Sequence, residues 1–151
     1  MVILRFLLTT VSVLLLTSCD PVDNRMIIKN NSKENIHIRI FIKKGVDIEE
    51  TMMGIRNIPS HTNKRLGMIS SWNSEFTDLN TDTLLFIVYK DYAFLHDDEE
   101  LSSKIKSDSL LFIGEYEYKK FMYDDLKKNK WFIEYPAKEF IKGDKFLFKN
   151  W

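Results

Sequence analysis

The sequence predicts a mainly β fold: an antiparallel sandwich, Ig-like or similar, with two or three short helices. Three observations predict it. Ile36, Ile38, Ile40 and Ile42 alternate with His37, Arg39, Phe41 and Lys43, the period-two pattern of a strand with one buried face. Residues 83–89 (Thr-Leu-Leu-Phe-Ile-Val-Tyr) run apolar without alternation, as a central strand covered on both faces does. The other apolar segments are short and bounded by turn-forming residues, giving about six to eight strands in all. An α+β single sheet with helices on one face is the alternative arrangement. A chain of 151 residues has room for one domain.

Before the first strand stands a leader, MVILRFLLTTVSVLLLTSC. Arg5 supplies a positive start, Phe6 to Leu16 is uncharged and apolar or small, and small residues follow: the layout of a secretory signal. The apolar stretch falls short of the ~20 residues that span a bilayer comfortably, which disfavours the alternative of an uncleaved anchor helix. Leu16-Thr17-Ser18-Cys19 resembles the bacterial lipobox. That resemblance implies cleavage before Cys19, a diacylglycerol on its thiol and an acyl chain, such as palmitate, on its new amino group. Two or three chains anchor stably where one does not. The expected organisation is a signal peptide over residues 1–18, a lipidated tether over 19–25 and one β-rich domain over 26–151.

Along the domain, Met26-Ile27-Ile28 and the strand at 36–42 flank the polar cluster Asn30 to Asn35 and read as a hairpin. Ile55–Ile58 and Leu66–Ile69 read as short strands. Ser70-Ser71-Trp72 opens a loop or short helical turn. Asp97-Asp98-Glu99-Glu100 leads toward Ile105-Lys106, and Tyr123-Asp124-Asp125 leads to Lys127-Lys128; acids first and lysines last complement a helix dipole, so both read as short helices. Leu110–Tyr118 and Trp131–Tyr135 read as strands, the latter stopped by Pro136, and Lys145–Phe148 as a last edge strand.

The order of these features resembles a group of small lipoproteins found in Bacteroidota. It is carried by the lipobox, Asn30-Asn31-Ser32 before an alternating strand, Trp72, Asp82-Thr83-Leu84-Leu85-Phe86-Ile87, Asp124-Asp125-Leu126, and Trp131 with Tyr135-Pro136. The resemblance implies an address and a fold, and no activity. Secreted proteins of that lineage are often O-glycosylated at Asp, then Ser or Thr, then an apolar residue. Asp82-Thr83-Leu84 and Asp108-Ser109-Leu110 fit, so Thr83 and Ser109 are candidate sites; turn chemistry explains the same residue types.

Composition excludes several classes. With 22 basic and 22 acidic side chains the formal charge is zero, which removes electrostatic capture of nucleic acid as a main activity. Cys19 is the only cysteine, so no disulfide forms within the chain and no thiolate metal site is left once it is acylated. His37, His61 and His96 have no metal-ligand spacing, and the acidic run 97–100 lacks the glycine and alternating offsets of a calcium loop. No metal or cofactor is expected. Neither Gly-x-Ser-x-Gly nor a glycine-rich phosphate loop is present. Glu115 with Glu117, or Asp124 with Asp125, could form a glycosidase pair only if folding set them across a cleft.

Aromatic residues make up 13% of the chain, more than surface chemistry needs, so most should fill the core. Tyr89, Tyr92, Phe94, Tyr116, Tyr118 and Trp151 are the candidates for ligand contact. The expected function is a cell-envelope lipoprotein acting as a non-catalytic binding or accessory module. It would be held to a membrane by its lipid, at the outer membrane in preference to the inner, facing the periplasm or the cell surface. Its partner would be an envelope protein or a glycan. An envelope hydrolase using paired carboxylates and a membrane-anchored immunity or inhibitor protein are the alternatives.

Overall fold

A computed structural model describes residues 22–51, 53–69, 71–90 and 100–145. The uninterrupted apolar run becomes β6 (Thr83–Lys90), with a hydrogen-bonded strand on each side. On one side it pairs antiparallel with β2 (Ile36–Lys44), from Ile36 opposite Lys90 to Lys43 opposite Thr83. On the other it pairs with β7 (Glu117–Met122), which carries β9 (Ile141–Lys142) at the edge. Beyond β2, the short strands β3 (Asp47–Glu50) and β4 (Arg56–Ile58) share one edge. Phe41 faces Glu50 and Ile38 faces Arg56, so three steps along β2 match six on its partner, and the surplus loops out around Gly54 at φ +58°. Thr51 pins that loop: its N–H and its hydroxyl both donate to the Ile40 carbonyl at 3.0 Å.

A second, three-stranded sheet has β1 (Val22–Asn30) at its centre, β5 (Asn63–Ile69) antiparallel on one side and β8 (Phe132–Tyr135) parallel on the other. Two sequence expectations change here. Residues 22–25 are strand, not tether. β1 and β2 do not form a hairpin; they lie in different sheets. Buried Asn30 explains the crossover. Its side-chain amide donates to the carbonyls of Glu34, Ile58 and Pro59, and its Oδ1 accepts from the Ser32 N–H and hydroxyl. The connector is thereby tied to the far layer and cannot close as a tight turn.

The isoleucines of β2 then face Met26, Ile28, Leu66, Met68 and Ile133 across the gap between the sheets, with Leu84, Phe86 and Val88 beside them. Each such side chain removed from water contributes about 1.5–3 kcal/mol. Trp72 and Trp131 close one side, ring centroids 6.2 Å apart. Trp72 opens α1 (Trp72–Glu75), capped by the Ser71 hydroxyl.

The largest departure concerns residues 110–113. Read as strand, they are the last turn of α2 (Glu100–Ile113), ended by Gly114 at φ +79°. Helix wins because Leu110 and Leu111 cover the other face of the large sheet, against Phe41, Leu85, Ile87, Tyr89, Tyr116 and Tyr118. The molecule is therefore a sandwich of two sheets with a helix on the outside of the larger one. α3 (Tyr123–Lys128) matches expectation, with Asp124 and Asp125 in its first turn and Lys127 and Lys128 in its last. Most of the expected strand at 145–148 lies outside the described residues.

Candidate functional site

β2 was expected to bury one face, yet the face opposite its isoleucines is covered as well, and Arg39 on it has no exposed side-chain surface. Its guanidinium is fully engaged. Nε and Nη2 donate to the two carboxylate oxygens of Glu50, at 2.8 and 2.5 Å, and Nη1 donates to Ser107 Oγ at 2.8 Å and Asp108 Oδ1 at 2.5 Å. The group also lies 5.0 Å from the Phe41 ring centroid. Burial opposes its charge, but Glu50 and Asp108 overcome that cost and raise the Arg39 pKa. Burial likewise raises the Tyr89 phenol beside it, against the pull of the arginine. This cluster ties α2 to the large sheet. Arg39 was missed in the sequence because its strand read as half-exposed. The signal that could have found it was β6: a strand apolar on both faces needs neighbours covered on both faces.

A groove of about 380 Å³ opens at the end of the large sheet where β6 finishes and β7 begins. Tyr116, Phe140 and Val88 supply apolar surface, and Lys90, Lys142, Glu115 and Glu117 supply charge of both signs. Register sets part of this: Glu117 faces Val88 on one side and Lys142 on the other. Glu117 accepts a hydrogen bond from the Tyr135 hydroxyl at 3.1 Å and lies 3.9 Å from Lys90 Nζ. Phe140 is held edge-on against Tyr135, centroids 5.0 Å apart. Tyr116 donates to the Asp144 carbonyl at 2.8 Å, and burial pushes its phenol up to about 12. Gly143 lies so close that a Cβ there would stand 2.6 Å from the Tyr116 ring. The groove can offer hydrogen bonds of both polarities beside an aromatic wall, a chemistry suited to a peptide strand or a glycan.

Of the aromatics expected at a surface, Tyr89, Tyr116 and Tyr118 are buried, with 0%, 4% and 8% exposure. They fill the core under α2, and only Tyr116 also reaches the groove. That corrects the expectation of free contact residues. The reason is again the covered second face of the sheet. Tyr92, Phe94 and Trp151 lie outside the described residues, as do Cys19, His96 and Asp97 to Glu99. Thr83 is half-buried at the start of β6, between Lys43 and Met122, and Ser109 is exposed on α2. Asp82, which precedes Thr83, is buried and caps the preceding loop, accepting from the Thr77 and Asp78 N–H groups at 2.7 and 2.8 Å. Both members of the Glu115–Glu117 pair reach the groove, whereas Asp124 and Asp125 begin α3, where Asp125 accepts from the Met122 N–H at 3.3 Å. His37 is half-buried on β2 and His61 is exposed in a turn. Among the described residues no group of three or more His, Cys, Asp or Glu could hold a metal ion, and no helix is long and apolar enough to cross a membrane.

No protein-family profile, curated protein or solved structure matches the chain.

Proposed function

We propose that this chain is a lipid-anchored protein of the bacterial cell envelope whose β-rich domain is a non-catalytic binding or accessory module. Its partner is an envelope protein or a glycan, and the groove beside Tyr116 and Phe140 receives it. The observation that carries this is one of polarity. Cys19 of the lipobox stands three residues before Val22, the first residue of β1. The groove sits at the opposite end of the stacked sheets, because Lys90 faces Ile36, which follows β1 across the 31–35 turn. The nine residues of β1 span about 26 Å. A lipid on Cys19 would thus hold the domain by one end and present the groove at the other. The outer membrane is the favoured site.

Glu117 is engaged within the protein, its carboxylate accepting from the Tyr135 hydroxyl and lying near Lys90, and the reading takes the groove as a binding surface. The test is crosslinking in intact cells with a photoreactive residue at Glu115, alongside a Lys90→Glu, Lys142→Glu double variant. Membrane fractionation should be unchanged in the double variant while the crosslinked partner is lost. A partner retained in full, or glycoside hydrolysis by the purified domain that vanishes in Glu117→Gln, would overturn the reading. Protease treatment of whole cells, with and without opening the envelope, assigns the facing: periplasm or cell surface.

A further inference from the structure

Four of the eight exposed large apolar side chains among the described residues gather at the end where β1 begins. They come from four separate parts of the chain: Val22 at the start of β1 (52% exposed), Val46 in the β2–β3 turn (92%), Ile69 at the end of β5 (63%) and Leu79 in the loop before β6 (42%). The topology brings them together. Val22 faces Ile69 across the β1–β5 ladder. The chain then turns into α1, where Asn73 accepts from Arg25 at 3.1 Å and Glu75 interacts with Lys44 at the end of β2. Lys43 faces Thr83, and Gly45, next to Val46, lines one depression with Thr81. Asp23 stitches this end, accepting from the Trp72 N–H at 3.0 Å. Val22 packs outward over Gly67, where a Cβ would come within 2.7 Å of its Cγ1.

Covalent reach decides what lies below. Three residue steps from Cys19 to Val22 extend at most about 11 Å. The headgroup layer on each side of a bilayer is itself about 5–8 Å thick. An acylated Cys19 sits at the base of that layer, so Val22 cannot stand far above it. Apolar tips held at that depth leave water when they enter the interface.

Resting on the reading of Cys19 as acylated, we infer that the end bearing Val22, Val46, Ile69 and Leu79 docks on the lipid surface and stands the domain upright, with the groove facing away. The lipid does more than tether; it sets an orientation.

The experiment uses the full acylated chain in vesicles of phosphatidylethanolamine and phosphatidylglycerol. Acylation blocks the only native thiol, so Val46→Cys and Lys33→Cys, the latter in the 31–35 turn at the far end, each take one nitroxide. Collision with oxygen, which concentrates in lipid, is compared with collision with a water-soluble nickel chelate. The oxygen-to-nickel ratio at position 46 should rise several-fold on vesicles relative to a Cys19→Ala chain in solution, while that at position 33 stays unchanged. Equal water exposure at both positions, a rise at 33 instead, or loss of access to both colliders at 46, as a second protein copy would cause, each overturns the orientation. Failure of the lipidation reading is recognised separately. The purified chain would then lack the acyl mass and would label at Cys19.

Discussion

Arg39 and Glu50 form a two-bonded ion pair, Nε to Oε1 at 2.8 Å and Nη2 to Oε2 at 2.5 Å, with no part of the arginine side chain exposed. Asp108 and Ser107 of α2 close the other side of the guanidinium. The pair therefore joins the edge strand β3, the inner strand β2 and the covering helix at one point.

Arg39→Met should cost about 2–3 kcal/mol in denaturant unfolding. The figure sits below that for breaking a fully buried pair, because Glu50 and Asp108 retain 21% and 33% exposure and can rehydrate. Asp108→Ala should act more locally. Amide exchange should speed up in α2 while β6, at the centre of the large sheet, stays protected. Equal acceleration in both would show that α2 and the sheet open as one unit.

Asp23 gives the fold an acid-sensitive contact. The Arg25 side chain bonded to it, with the Trp72 N–H and opposed by burial, lowers its carboxyl from 3.8 to about 2. The ionised form is thus favoured in the folded state, and its contribution is complete above the ordinary pKa and is lost as pH falls from about 4 to 2. Because Arg25 is partly exposed, the contribution is on the order of 1–2 kcal/mol. Asp23→Asn should be less stable than the natural chain at about pH 6 and nearly equal to it at about pH 1.5, below both pKa values. Chemical unfolding at the two pH values reads the difference, and a gap that does not shrink in acid contradicts the assignment.

Gly143→Ala should destabilise by about 1–3 kcal/mol, since the Tyr116 ring at 2.6 Å is rigid and hemmed in by the core. The ring must tilt, and with it one wall of the groove. Thermal unfolding gives the cost, and the Tyr116 ring resonances report the tilt. Gly67→Ala is the milder comparison, because there the crowding atoms are the tips of Asn24 and Val22.

The parts of the fold legible in the sequence are those where local pattern and tertiary role agree. The alternation in β2 and the unbroken apolar run of β6 mark two adjacent strands, and Asp124 to Lys128 reads as the helix it is. Pairing between layers was less accessible. Met26-Ile27-Ile28 reads as a strand, but only the buried side chain of Asn30 reveals that it crosses to another sheet. Residues 110–113 are apolar enough for either helix or strand, and the choice is made by Phe41, Leu85 and Tyr89, far away in sequence, which need a cover. The same missing cover placed Tyr89 and Tyr118 wrongly at a surface and left Arg39 unremarked. The groove was half visible: Glu115 and Glu117 stand out in sequence, but Lys90, Phe140 and Lys142 join them only through strand register.

Both the proposed function and the upright orientation of the domain depend on a lipid on Cys19, which is read from the intact mass of the protein purified from its own membranes. The chain should begin at Cys19 and carry the added mass of a diacylglycerol and an amide-linked acyl group, and it should be lost from the membrane fraction in Cys19→Ala. An unmodified Cys19 in a chain that still begins at Met1, or a Cys19→Ala protein that stays membrane-bound, would contradict it.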